Sequence, residues 1–274
     1  MKHRVLLSND DGIDAAGIRA LYDEISRIAN VTLVAPSSEC SGVGHAISLF
    51  NNLTLEERKI DGRICGYGLA GTPADCVKFA ITRLMKEPPH LVISGINRGQ
   101  NTGNSILYSG TVAAAIEGLM FGIPSMAVSL ADIEDAPADY GYAARLTTRI
   151  AALILEKGLP EGILLNINIP NLPEEEIRGV VISKQGRSTY TDYFEPRGEH
   201  EGLPAFRNIG GEMLSSAGDE DFDDIVLSQN KISITPLRFD LTHHDLRMEL
   251  ERWMRQHIED ELSELARLKS TPQK

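Results

Sequence analysis

Residues 4–17 read RVLLSNDDGIDAAG. Val5, Leu6 and Leu7 form a short apolar run that stops at Ser8, Asn9, Asp10 and Asp11, after which Ile18, Leu21, Tyr22, Ile25 and Ile28 recur at helical spacing. The stretch predicts strand, turn and helix, with two adjacent carboxylates where the first strand ends. In an open parallel sheet that edge is where ligands bind.

Outward from this unit the same grammar repeats. Asp14 is the expected N-cap of a helix over 16–29, and Val31 to Ala35 is a second β-branched strand that stops at Pro36. A small, polar loop, PSSECSGVGHAIS, then leaves that strand end. Apolar segments at 53–55 and 64–69 flank Asp61-Gly62, a dipeptide that favours a tight hairpin turn. Thr72, Pro73 and Asp75 supply the cap, first position and first-turn acid of the next helix, which Pro88 and Pro89 end. A buried strand at 91–94 runs into Gly95, Ile96, Asn97, Arg98 and Gly99, a third loop at a third strand end. Ser109-Gly110 opens a small-residue helix over 111–121, and a strand follows at 125–130. A helix over 139–156, a strand over 163–169 with alternating Asn166 and Asn168, and an apolar segment at 180–183 extend the pattern. Periodicity is weak over 184–230, where Gly218 to Asp224 is mostly acidic, and the segment is read as extended hairpins and loops. A strand at 231–237 and a long charged helix with Leu246, Leu250, Trp253, Ile258, Leu262 and Leu265 on one stripe close the chain. The expected division is an α/β core over 1–183 and a hairpin and helical segment over 184–274.

The 274 residues are 42% hydrophobic, enough for a proper core. With 27 Lys plus Arg against 39 Asp plus Glu the net charge is −12, so the surface repels polyanions and a nucleic-acid polymer is not the expected partner. A small phosphorylated ligand is still allowed, because a bound divalent cation reverses the sign of a local site. Cys40, Cys65 and Cys76 are an odd set without CxxC spacing, read as free thiols. Only three apolar residues follow the basic start before Ser8, and no apolar run approaches membrane-spanning length, so the expectation is a soluble, cytoplasmic protein.

Adjacent carboxylates in a turn repel one another unless a cation, hydrogen bonds or solvent offset the cost. Taken alone, Asp10 and Asp11 read equally well as solvated turn residues. Ser41 and Asn97 leave other strand ends, and two carboxylates, a hydroxyl and an amide carbonyl make an all-oxygen set that suits Mg²⁺, Mn²⁺ or Ca²⁺ better than Zn²⁺. Ser109, Gly110 and Thr111 start a helix whose N–H groups would face an anion, although an ordinary cap explains them as well. The same two readings hold for Gly71-Thr72-Pro73. His45 is either a proton donor to a leaving group or a hydrogen-bonding loop residue. His243, His244 and Arg98 carry less signal. No GxGxxG follows the first strand, and GxxxxGK[ST], GxSxG and HExxH do not occur. Dinucleotide dehydrogenase, P-loop NTPase, α/β-hydrolase and zincin readings therefore fall.

In order along the chain, LLSNDDGIDAAGIRAL, VAPSSECSGVGHAISL, GTPADCVKFA, and LVISGINRG followed by LYSGTVAAAIEG closely resemble the SurE family of survival-protein nucleotidases, with weaker support from SITPLRFDLT. The resemblance implies a Rossmann-like, mostly parallel sheet flanked by helices, with C-terminal hairpins and a terminal helix. It further implies a divalent cation, Mg²⁺ or Mn²⁺, held by Asp10, Asp11, Ser41 and Asn97, with Asp10 and Asp11 catalytic. It also implies a homodimer or higher oligomer in which C-terminal segments exchange. The expected activity is hydrolysis of nucleoside 5′- or 3′-monophosphates, with Ser109, Gly110 and Thr111 at the substrate phosphate. A non-catalytic nucleotide sensor and a polyphosphate or nucleic-acid hydrolase are the competing readings. Two positions depart from the family's usual pattern: Ala16 replaces a common proline, and Asn104-Ser105 stands where acidic residues are frequent.

Overall fold

The computed structural model describes residues 2–60, 63–131 and 137–270. The chain divides into a compact unit, Met1–Leu237, and a C-terminal unit, Arg238–Lys274. In chain order the first contains β1 (His3–Ser8), α1 (Ala16–Ile25), β2 (Ala29–Pro36), β3 (Leu55–Ile60), β4 (Arg63–Leu69), α2 (Pro73–Phe79), β5 (Leu91–Arg98), α3 (Gly110–Met120), β6 (Ser125–Ala131), α4 (Tyr140–Lys157) and β7 (Leu164–Pro170). There follow β8 (Val180–Ile182), β9 (Thr189–Tyr190), β10 (Phe194–His200), β11 (Leu203–Asn208), β12 (Met213–Leu214), α5 (Asp223–Ser228) and β13 (Ile232–Leu237). The second unit holds α6 (His244–Ser270). Among the described residues no helix is long and apolar enough to cross a membrane.

Nine strands of the described residues form one sheet in the order β3-β4-β2-β1-β5-β6-β7-β13-β8. Pairing is parallel from β4 through β7 and between β13 and β8, and antiparallel for β3 with β4 and β13 with β7. This is the expected mostly parallel α/β architecture. β2 lies on one side of β1 and β5 on the other, so strand order reverses at β1, and the crevice beyond its C-terminal end is a topological switch point. Asp61-Gly62, the expected hairpin turn, lies outside the described residues, although β3 and β4 on either side pair antiparallel.

The alternation of β1 decides the two faces. Val5 and Leu7 are buried with Ile18, Leu21 and Ile25 of α1 and Ala144 and Ile154 of α4. Leu6 points the other way and is buried with Val34, with Cys76 and Val77 of α2, and with Ala114 of α3. Helices therefore cover both faces, which is why the parallel strands read as continuous apolar runs. Truncating a fully buried leucine such as Leu6 to alanine costs about 2–5 kcal/mol.

Local signals are met in part. Thr72 and Asp75 form a capping box: Asp75 N donates to Thr72 Oγ1 (3.1 Å) and Thr72 N donates to Asp75 Oδ2 (2.9 Å). The helix then loosens into one π-helical turn at Ala80–Leu84 instead of running to Pro88. Asp14 does not cap α1. The cap position is Ala15, with no side-chain cap bond, and Asp14 pairs with Arg58 Nε at 3.3 Å. The entry angle is set earlier, by Asn9 bridging to both the N–H and carbonyl of Gly12 and by Ala15 N donating to Gly12 O (3.1 Å). Hairpins are present between 184 and 230, as β10 with β11 and the short pair β9 with β12, and the brief helix α5 starts at the end of the acidic stretch. β13 lies between β7 and β8, so the main sheet draws on residues from both sides of 183/184.

Candidate functional site

Three loops meet at the end of β1. Cys40 N, in the loop after β2, donates to the carbonyl of Asp10 at 2.8 Å, and Arg98 N, at the end of β5, donates to Asp11 Oδ2 at 3.1 Å. The start of α3 closes the third side, where the Thr111 hydroxyl donates to Asp10 Oδ1. A Cβ added to Gly110 would stand 2.8 Å from Asp10 Cβ and 3.0 Å from both Asp10 Oδ2 and Pro73 Cγ. Glycine is therefore what lets the helix start seat itself on the carboxylate.

The two acids are not equivalent. Asp10 is 4% exposed, and burial pushes its pKa above the ordinary carboxylate value, opposed by the Thr111 hydroxyl and the N–H groups of Thr111 and Gly110. Asp11 is pushed up to about 6, by burial first, then by the charge of Asp10, with Glu39 adding to it and the N–H and charge of Arg98 opposing. Both carboxylates thus carry a charge that the surrounding protein compensates incompletely.

Asn97 is buried and its Nδ2 donates to Gly99 O at 2.7 Å, so the carbonyl oxygen is the side-chain atom left as a donor to a cation. Ser41 follows Cys40 and is exposed, and its hydroxyl donates to Glu39 Oε1 at 2.8 Å. Ser109 is the N-cap of α3, its Oγ accepting from Val112 N at 3.1 Å. The structure therefore gathers Asp10, Asp11, Asn97, Gly110 and Thr111 at one edge and brings the Ser41 loop against it through Cys40.

The same geometry assigns His45 a partner. Its Nε2 lies 2.9 Å from Glu117 Oε2, and Lys78 Nζ lies 3.0 Å from Glu117 Oε1. Burial pushes the Glu117 carboxyl up, but the hydrogen bonds from His45 and Lys78 outweigh it and the pKa is lowered. Together with Ser48 N donating to Asp75 Oδ1 (3.0 Å), Thr72 Oγ1 donating to Ala46 O (2.7 Å) and Gly44 N donating to Tyr108 O (2.9 Å), this ties the loop after β2 to α2 and α3. Glu39 and Glu117 were not among the expected site residues. Glu117 carried a signal nevertheless: a lone acid in a helix of small and apolar residues must be paired if that helix is buried.

A family model described as survival protein SurE matches residues 5–192. The chain belongs to the SurE family. Among its relatives are two proteins named 5′-nucleotidase SurE, from Chlorobium luteolum and Moorella thermoacetica. Each is 43% identical, over 249 and 255 residues respectively, covering in each case 91% of this chain and 95% of the relative. The crystal structure of a SurE protein from Aquifex aeolicus superimposes with a TM-score of 0.76 at 35% identity, covering 92% of this chain and 99% of that one. SurE membership spans the whole edge described above, from Asp10 to Thr111.

Proposed function

We propose that the protein is a metal-dependent phosphomonoesterase that hydrolyses nucleoside 5′-monophosphates to nucleoside and phosphate, with 3′-monophosphates as a second class of substrate. The observation that carries this reading is the seating of the α3 start on Asp10 at the switch point, with Asp11 beside it. The relatives named 5′-nucleotidase SurE support the substrate class.

The donor chemistry fits a hard divalent cation. Asp10 and Asp11 supply two carboxylates whose charge burial penalises, Asn97 has its nitrogen committed and its oxygen left over, and Ser41 adds a hydroxyl after a reorientation from Glu39. Mg²⁺ or Mn²⁺ bound there supplies positive charge against the phosphoryl oxygens and acidifies water. The chain's own part is positional. Asp11, beside the site of attack, takes the proton as water attacks phosphorus and the ester bond breaks, the departing nucleoside oxygen gaining a proton from solvent, and Asp10 fixes the Thr111 hydroxyl. The start of α3 at Ser109, Gly110 and Thr111 turns the positive end of its dipole to the equatorial oxygens, which gain charge in the transition state, and the Gly110 and Thr111 N–H groups, which rest on Asp10 in the metal-free protein, become available to them once a cation draws that carboxylate away. No covalent step on the protein is needed.

We further infer a homodimer. Phe194, Leu203 and Phe206 on the β10–β11 hairpin are 65%, 69% and 62% exposed, more than an isolated two-stranded ribbon keeps in water. The apolar stripe of α6 points the same way. The three free thiols support a reducing, cytoplasmic setting.

The test is direct turnover. Protein stripped with chelator and resupplied with Mg²⁺ or Mn²⁺ is expected to release phosphate from nucleoside 5′-monophosphates, and not from single-stranded DNA, whose internal diesters offer one charge and bulk on both sides. Tight binding without release makes the protein a sensor, and faster cleavage of polyphosphate or DNA than of any monophosphate overturns the substrate class.

A further inference from the structure

Between Asn97 and the start of α3 the chain runs through residues 99–109 with almost no ladder to hold it. Apart from a short 3-10 helix at Gly103–Leu107, its backbone is held by side chains from far along the sequence. Asn101 N donates to Asn168 Oδ1 (2.8 Å), and Asn101 O accepts from Asn166 Nδ2 (2.8 Å) and Asn168 Nδ2 (3.1 Å). Two residues on, Gly103 N donates to both oxygens of Asp223 (3.2 and 3.1 Å), and Gly103 O accepts from Gln185 Nε2 (3.0 Å). Asn104 N donates to Ser188 O at 2.9 Å.

Asp223 is fully buried, and besides Gly103 it receives Gly186 N and its neighbour Asp224 N, each at 2.9 Å. Three N–H groups from three parts of the chain converge on one side chain. All three reach Oδ1 and Gly103 N reaches Oδ2 as well, so an asparagine there would aim its NH₂ at the Gly103 N–H. Gly103 has φ +54°, and a Cβ there would run into the Ser188 hydroxyl and stand 2.6 Å from Ser188 N. The turn cannot drift away from its clamp without breaking these contacts. It also leads rigidly onward: Tyr108 N and Ser109 N both donate to Ser105 O, at 3.0 and 3.1 Å, and Ser109 caps α3.

We propose that Asp223 is a positioning residue, whose carboxylate, by fixing the turn at Gly103, sets where Ser109, Gly110 and Thr111 meet the substrate phosphate. The inference rests on the phosphomonoesterase reading above. It gives the acidic stretch after residue 218 a role in the site, at a distance from the reacting atoms.

The test compares wild type, Asp223→Asn and the milder Gln185→Ala, which removes one neutral donor from Gly103 O and leaves the Asp223 contacts in place. Steady-state kinetics with a nucleoside 5′-monophosphate, inhibition by inorganic phosphate, and hydrogen exchange of the peptide covering 99–112 are measured. For Asp223→Asn, KM and the phosphate inhibition constant are expected to rise roughly 10-fold, and for Gln185→Ala about 3-fold, because a donor set displaced by a fraction of an ångström binds the phosphate less well. Exchange is expected to quicken in 99–112 and not in α1 or α4. A merely structural residue would lower kcat with the folded fraction and leave KM and the phosphate constant unchanged, and that result overturns the proposal. If Asp223→Asn is insoluble, Gln185→Ala with unchanged KM and exchange overturns it alone. A wild type that releases no phosphate overturns the phosphomonoesterase reading and this one with it, whereas an active wild type with unaltered variants overturns only this one.

Discussion

Asp11→Asn in metal-free protein is expected to raise stability at neutral pH while abolishing turnover. Burial and the charge of Asp10 push the Asp11 pKa up to about 6, from the ordinary aspartate value of about 3.9. At 1.36 kcal/mol per unit that amounts to about 3 kcal/mol of cost to the folded state once the group is ionised, reduced to about 1–2 kcal/mol by solvent screening of a partly exposed carboxylate. The sign follows from which state binds the proton more tightly. The folded carboxyl does, so the cost is absent below about pH 4, grows between about 4 and 6 and is complete above. An asparagine never pays it, and its Oδ1 still accepts from Arg98 N. With about 2–4 °C per kcal/mol for a chain near this size, the chelated variant should melt roughly 2–8 °C above wild type at pH 7.5 and by about a third as much at pH 4.5. Mg²⁺ or Mn²⁺ at a hundredfold excess over Kd should then add about 2.7 kcal/mol to wild type and nothing comparable to the variant. Differential scanning fluorimetry with chelator and with each cation, at both pH values, reads all of this. A variant that melts below wild type at pH 7.5, or a gain of equal size at both pH values, would refute the account of Asp11 as an uncompensated charge.

Gly110→Ala places a methyl group against Asp10 and Pro73, and displacement of the helix start should cost about 10–100-fold in kcat/KM with little change in the circular dichroism spectrum; unchanged kinetics would detach α3 from the chemistry. Asn97→Ala should raise the cation concentration for half-maximal activity about 10-fold, and Ser41→Ala should raise it less, since water replaces an exposed hydroxyl more readily; identical cation titrations would remove both from the donor set. Glu117→Gln should lower stability by about 1–2 kcal/mol at pH 7, and because the folded pKa of Glu117 is lowered, the loss should shrink as pH falls through and below 4.5, as chemical denaturation at both pH values would reveal. Removing 244–274 should abolish the dimer or the solubility, and light scattering that finds a soluble dimer would assign dimerisation to other surfaces.

Much of the architecture could be read from local patterns because local physics decides it. Val5 to Leu7 and the turn after them sit where an apolar run ends in four polar residues, and Thr72 with Asp75 caps a helix through contacts three residues apart. Asn166 and Asn168 were visible as two polar residues on one face of a strand, which marked them as unusual without naming their partner, Asn101. What local pattern could not supply is long-range. Asp14 looked like a cap, and only the arrival of Arg58 and the Asn9–Gly12 turn made it something else. Asp223 looked like one more residue in an acidic run, because Gly103 stands 120 positions earlier. The strand at 231–237 was legible as a strand, but its place beside β7 depends on which edge was vacant.

That vacancy has a consequence during synthesis. β7 ends at Pro170 and its neighbour β13 begins only at Ile232, so a growing chain carries a nearly finished sheet with one raw edge while 171–231 are made. At roughly 5–20 residues per second that interval lasts about 3–12 s, long enough for an unpaired edge to find another nascent chain. Asn101, which Asn166 and Asn168 hold, is already made at that point, but Gln185 and Asp223, which hold the next turn at Gly103, are not, so the loop that leads to α3 is fixed only as the open edge of the sheet is being closed.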